Sequence, residues 1–239
     1  ARDWLQKRVD RLEQRIKFLR KTQKNALVAV SERTAQDIRK ITGIIEKAGL
    51  DASKLLQAFK PEAYSAGGPF IPAGAENAIL EDDDAILDQH LTHWEDLNKL
   101  LRSLPLIAPV DHYNLSSKFG RRRDPFNKKW AQHQGIDLAS RPRSTVFAPA
   151  NGKVIFAGWK GRYGRVIELD HGFGIVTRYG HLRRISVKRG KRVKLGDKIG
   201  ELGSSGRSTG PHLHYEIRVN KKAVDPLNFI KAGKDVFKG

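Results

Sequence analysis

At 239 residues, with 39% hydrophobic and 8% aromatic content, the chain is long enough for one large domain or two small ones and has the makings of a real core, which excludes wholesale disorder. It contains no Cys, so a disulfide framework, thiolate metal sites and Cys nucleophiles are excluded, and no apolar run is long enough to span a bilayer. Its net charge of +19 is uneven: residues 1–110 carry 17 Lys and Arg against 16 Asp and Glu, residues 111–239 carry 28 against 10, and so basic a half points to a polyanionic partner.

The N-terminal half reads as helix. Leu5, Val9, Leu12, Ile16 and Leu19 step 4-3-4-3, a heptad seam, with Arg, Gln, Glu and Lys between them. The pattern weakens over 24–33 and resumes at Ile38, Ile41 and Ile45, with a stutter through Val30 and Thr34 and a stop at Gly49. A second seam runs through Leu87, His90, Trp94, Leu97, Leu101 and Leu104 to Pro105. His90 and Trp94 lie on it as core residues. Glu81-Asp82-Asp83-Asp84 suits the first turn of that helix, where negative charge complements the dipole. The Gly-, Pro- and Ala-rich stretch 61–74 continues neither helix. Two seams and a long connection predict an antiparallel helical hairpin over 1–105, with a dimeric coiled coil as the competing reading.

Pro105 and Pro109 bracket a linker, 106–113. Beyond it the period changes to two. Thr145–Ala148, Gly152–Ala157, Val166–Asp170, Ile175–Tyr179 and His212–Val219 read as strands between Gly-rich turns, which predicts an antiparallel β domain over 114–232 and an α+β chain overall.

Five of the eight His lie from His133 onward. In the strand ending at Val219, Leu213, Tyr215, Ile217 and Val219 share the core face, while His212 and His214 point the other way as a pincer. Upstream, His133 and Asp137 share a face by the same even spacing, and Gly135 between them leaves room for a bound object. Two imidazoles and a carboxylate suit Zn²⁺, and three protein ligands with water in the fourth position are the catalytic arrangement. Such a site needs further proton-handling groups. His181 and His171 are available for that.

The segment from about Asn114 to Ile230 closely resembles the catalytic domain of the LytM/lysostaphin-type zinc endopeptidases. The resemblance is carried by Ser116-Ser117-Lys118-Phe119-Gly120-Arg121, Asp124-Pro125-Phe126, His133-Gln134-Gly135-Ile136-Asp137 and Ala148-Pro149-Ala150-Asn151-Gly152. It continues through Tyr179-Gly180-His181-Leu182, the run from Gly206 to His214, and Val224-Asp225-Pro226. It implies an antiparallel β fold with a groove, Zn²⁺ held by His133, Asp137 and His214, and His181 and His212 as the catalytic pair that positions or activates water and stabilises the tetrahedral intermediate. It also implies a substrate class, the peptide cross-links of bacterial peptidoglycan. All five positions are occupied by the residues the family uses, so a metalloendopeptidase is expected. The alternative is a non-catalytic, wall-binding activator of other hydrolases, as some relatives are. His171 is not a ligand position of the family and reads as a turn or supporting residue.

Location follows the same resemblance. The expected setting is the periplasm or cell envelope of a Gram-negative bacterium, with an export signal or membrane anchor upstream of residue 1 and other envelope proteins as partners of the coiled coil. Anionic wall polymers and stem-peptide carboxylates satisfy the basic half; nucleic acid is not expected, since no nucleic-acid-binding motif is present. The Gly203–Gly210 loop has no P-loop Lys and leads into a strand, so it wraps beside the metal instead of cradling phosphate. Tyr163 and Trp159 are candidates for packing on substrate. Arg121-Arg122-Arg123 is read first as solvated surface and second as a carboxylate holder, and 188–194 as an exposed hairpin.

Overall fold

The computed structural model describes residues 2–59 and 81–236. The expected break at 61–74 lies outside the described residues. The chain divides into two compact units, one built from described residues 2–41 and 81–96, the other from 42–59 and 97–236. Among the described residues no helix is long and apolar enough to cross a membrane.

Both expected N-terminal helices are present, α1 (Arg2–Lys47) and, after α2 (Ala52–Phe59), α3 (Glu81–Ser103). In the first unit, residues 2–26 of α1 are exposed throughout, the apolar heptad positions included. In the second unit, α1 ends where Gly49 predicts. Gly49 has φ 81°, its N–H donates to Glu46 O at 2.8 Å, and the Leu50 N–H reaches back to Ile45 O at 3.2 Å, the paired bonds of a Schellman cap. Asp51 then caps α2 through a 3.0 Å bond from the Lys54 N–H. The buried residues near the end of α3 are Leu97, Leu100 and Leu104, so the helix turns Leu100 inward where the seam predicted Leu101. The 106–113 segment, expected as a linker, carries buried Leu106 and Val110 and accepts the Phe147 N–H at Pro109 O.

The β domain comprises thirteen strands: β1 (Asn114–Ser117), β2 (Gly120–Arg123), β3 (Trp130–His133), β4 (Ile136–Ala139), β5 (Thr145–Phe147), β6 (Gly152–Trp159), β7 (Arg165–Gly172), β8 (Ile175–Leu182), β9 (Arg184–Ile185), β10 (Arg192–Val193), β11 (Lys198–Glu201), β12 (Leu213–Val219) and β13 (Lys222–Val224). A main sheet runs β1-β4-β12-β8-β7-β6-β10, with β13 paired to β12. A smaller sheet runs β5-β11-β9, and β2 pairs with β3 as a separate ribbon. Every pairing is antiparallel. One face is filled by Ile136, Leu138, Val154, Ile167, Leu169, Ile175, Tyr179, Leu213, Tyr215 and Ile217, all fully buried. A C-terminal helix, α4 (Pro226–Val236), has no counterpart among the expected elements. It begins on Asp225, whose carboxylate accepts the Leu227 N–H at 2.9 Å, and its Gly233 lies against the carbonyl of Leu106.

The register of the main sheet sets out a row of polar positions. Ser117 of β1 faces Asp137 of β4, Asp137 faces His214 of β12, and His214 faces Gly180 of β8.

Candidate metal centre

That row corrects the expected strand assignment. His133 and Asp137 do not share a strand: β3 ends at His133 in the two-stranded ribbon, and β4 starts at Ile136 in the main sheet. The three predicted ligands therefore come from three strands, not two. Gly135 makes the break possible, and the room beside it is not for a bound object. A Cβ there would collide with the carbonyl of Tyr215, so the missing side chain lets the bend between β3 and β4 press onto the β12 backbone.

His133, Asp137 and His214 nonetheless meet. The Nε2 of His133 is 3.1 Å from Asp137 Oδ1 and 3.1 Å from His214 Nδ1, and His214 Nδ1 is 2.9 Å from the same Oδ1. All three residues are buried. The remaining nitrogen of each ring fixes which atom carries the proton. The Nδ1–H of His133 donates to Lys118 O at 2.8 Å, and the Nε2–H of His214 donates to Glu216 Oε1 at 3.1 Å. Both acceptors are oxygens that only accept, so in the neutral rings the inward nitrogens carry lone pairs. Two imidazole lone pairs and a carboxylate oxygen crowded within about 3 Å repel unless a cation lies among them. Tetrahedral Zn²⁺ with bonds of ~2.0–2.1 Å separates its ligand atoms by roughly 3.3 Å, close to the spacing here. This donor set fits a metal ion.

Protonation follows the same electrostatics. Burial opposes a proton on His214, yet the carboxylates of Asp137 and Glu216 at its two nitrogens hold its pKa above the ordinary value. Burial would raise Asp137, but His133 and His214 keep its carboxyl far below the usual range. The centre thus holds negative charge.

His181 and His212 stand beside this cluster. Their rings are 4.8 Å apart, centroid to centroid, and His212 Nε2 is 3.7 Å from Asp137 Oδ1. The Nδ1–H of His181 donates to Ser205 O at 2.7 Å and that of His212 to Gly210 O at 2.8 Å, leaving each Nε2 with its lone pair. Burial pushes the pKa of His181 down to about 4, so it is neutral at pH 7. Its backbone has φ 58°, a left-handed conformation unusual for a residue with a Cβ and of the kind found where a side chain is aimed. The Gly203–Gly210 loop supplies both carbonyl anchors, as expected of a loop wrapped beside the site.

A groove of about 360 Å³ opens over the five residues, lined also by Tyr163, Arg162, Phe126, Ser208 and Thr209. Asp124 and Arg207 clamp its edge with two bonds of 2.7 and 2.9 Å, which hold the Asp124 carboxyl well below the usual range. The arginine run divides its labour. Arg122 reaches Asp137 Oδ2 at 3.3 Å, while Arg121 and Arg123 stack on Trp130 at 4.5 and 5.1 Å. Trp159 is exposed and does not line the groove; Tyr163 does.

His171 lies elsewhere. Its Nδ1–H donates to Asn151 O and its Nε2 accepts from Thr177, both at 2.7 Å, pinning the turn before β6 to β7 and β8. Sequence reasoning missed Glu216, fully buried behind His214. It accepts from Tyr163 OH at 2.6 Å, Arg178 at 3.0 Å and Arg218 at 2.9 Å, and is held down to about 2 against burial by His214, Tyr163 and Arg178. Its place two residues after His214, on the same strand face, was the available signal.

The model of a family described as peptidase family M23 matches residues 131–226, a span that contains all five site residues. The DD-carboxypeptidase/endopeptidase Mpg of Neisseria meningitidis serogroup B is 43% identical over 122 residues, 51% of this chain and 28% of that protein. Peptidoglycan DD-endopeptidase ShyC of Vibrio cholerae serotype O1 is 37% identical over 138 residues, 57% of this chain and 32% of that protein. A solved zinc containing peptidase from Vibrio cholerae is 38% identical, covering 49% of this chain and 37% of that one, with a TM-score of 0.47. The chain thus spans about 30% of the length of the curated relatives it matches.

Proposed function

We propose that this chain, whose residues 131–226 match the model of peptidase family M23, is a zinc metalloendopeptidase that hydrolyses peptide cross-links of bacterial peptidoglycan. The observation that carries the reading is the convergence of His133 Nε2, Asp137 Oδ1 and His214 Nδ1 within 3.1 Å, with the outward ring nitrogens anchored elsewhere. Relatives named for peptidoglycan endopeptidase activity support the substrate class. Peptidoglycan lies in the cell envelope, so the work is done there, on the periplasmic side.

His133, Asp137 and His214 would hold the ion. Bound there, Zn²⁺ would supply Lewis-acid polarisation of the scissile carbonyl and make water more acidic. The groove lays the substrate peptide across the site, with Tyr163 and Phe126 along its walls. His181 and His212 present their Nε2 atoms on the open side. One of them takes the proton from the attacking water and, now bearing it on Nε2, donates to the developing oxyanion and delivers that proton to the departing amine. The carbonyls of Ser205 and Gly210 keep both rings in the required tautomer throughout. Arg122, on the far oxygen of Asp137, holds that carboxylate turned toward the histidines.

The test is digestion of purified sacculi. Asp137→Ala is expected to fold and to lower release of soluble muropeptides by more than about 100-fold, beyond what loss of a supporting partner alone costs. Release at the wild-type rate would sink the assignment.

A further inference from the structure

The apolar seam at the start of α1 lies open. Leu5, Val9, Leu12, Ile16, Leu19 and, further along, Val30 are 45–57% exposed. In heptad terms Leu5, Leu12 and Leu19 occupy d, followed by Ala26, while Val9, Ile16 and Val30 occupy a, interrupted by Gln23. Valine and isoleucine at a with leucine at d is the combination that favours two parallel strands over trimers or tetramers. We propose that residues 2–30 pair with the same segment of a second copy of this chain, as a parallel, in-register, two-stranded coiled coil.

The flanking charges fit pairing with a second copy. In a parallel pair each g residue faces the following e residue of the other helix, so Arg8 meets Glu13 of the second copy, twice by symmetry. In an antiparallel pair g faces g and e faces e, and full overlap sets Glu13 against Arg20 of the second copy but buries Gln23 against Leu12, so the direction is set by the seam and not by the flanking charges. Gln23 meets its own copy only in the parallel register, where the two amides hydrogen-bond across the seam. One contact opposes the pairing, Arg15 against Arg20 of the second copy, and it provides a handle on orientation.

The chain contains no Cys, so a single introduced thiol reports on its surroundings without interference. The experiment uses the full chain. Sedimentation is expected to give a dimer, and Leu12→Cys, at a d position, is expected to form a disulfide-linked dimer roughly a hundredfold faster than Gln14→Cys on the outer face, since paired thiols meet at millimolar effective concentration. Leu19→Cys repeats the test at a second d position, in case the first substitution weakens the seam. Arg20→Glu replaces the opposing contact with an attractive one and is expected to tighten the dimer several-fold. A chain that stays monomeric overturns the proposal. So do equal cross-linking rates at Leu12 and Gln14, or an Arg20→Glu variant that loosens the pair.

Discussion

Glu216 has no place in the ligand set, yet it sets the tautomer of His214. It is fully buried, and both its oxygens are occupied: Oε1 by His214 and Tyr163, Oε2 by Arg178 and Arg218. An aspartate or glutamate in this position makes the imidazole more basic and stops the ring from turning, and its removal typically costs 10–100-fold in metal affinity. Glu216→Gln keeps the shape but removes the charge. It leaves Arg178 facing Glu168 alone and allows the His214 ring to flip. We expect Zn²⁺ affinity, measured by chelator competition on the folded protein, to fall by about 10–100-fold. If the variant melts earlier but binds zinc as the wild type does, Glu216 merely supports the sheet. His133 is anchored differently, through the Lys118 carbonyl, which no side-chain substitution removes.

At the level of elements, the site depends on one sharp bend. β3 belongs to the ribbon with β2 and β4 to the main sheet, and only Gln134 and Gly135 join them. The bend lies on β12 so closely that Gly135 has no space for a methyl group against the Tyr215 backbone. Gly135→Ala is therefore expected to lift His133 away from Asp137 and His214. The variant should lose about 1–3 kcal/mol of stability in denaturant titration, the usual cost of forcing a methyl group into a packed interior, together with much of its metal affinity. A wild-type denaturation midpoint with unchanged zinc binding would mean that the bend has slack. The same bend shows why part of the architecture was hidden in the sequence. Alternation revealed β6, β7, β8 and β12, because each sets one face on a large core. The ribbon of β2 and β3 has no such face: Arg121, Arg122 and Arg123 carry no period, and Trp130 packs on arginines instead of on apolar side chains. Even spacing from His133 to Asp137 then read as one strand. The C-terminal helix was hidden for another reason. Its start, Asp225-Pro226, is a cap followed by a proline in the first turn, a signal present in the chain but weaker than the strand pattern before it. The His133, Asp137 and His214 cluster was legible because each stands in a short run of the family's pattern. The Glu216 cluster was not, since Glu168, Arg178 and Glu216 become neighbours only through the register of β7, β8 and β12.

On the scale of the whole molecule, charge is the property that packing does not explain. Nearly all of the +19 excess resides in 111–239, and much of it is on the surface: Arg121, Arg123, Lys128, Lys129, Lys153, Lys188, Arg189, Lys191, Arg192 and Lys194 are all exposed. Few of these cations have a carboxylate nearby, because that half holds only 10 Asp and Glu. Several of the acids are already engaged, Asp137, Glu168 and Glu216 inside the fold and Asp124 and Glu201 in ion pairs. Self-repulsion of this size destabilises a compact domain, and an anionic polymer relieves it. Such attraction acts over the screening length of the solution, which shrinks from about 10 Å at 0.1 M salt to about 3 Å at 1 M, whereas the buried contacts of the metal centre are screened far less. Two measurements should then separate. Adsorption of the Asp137→Ala protein to purified sacculi is expected to weaken by about tenfold or more over that range, while zinc affinity of the wild type moves little. Salt-independent adsorption would assign wall binding to the groove and leave the basic surface a solvating coat; adsorption that falls with salt makes long-range attraction to the polymer the step that precedes recognition of the scissile peptide.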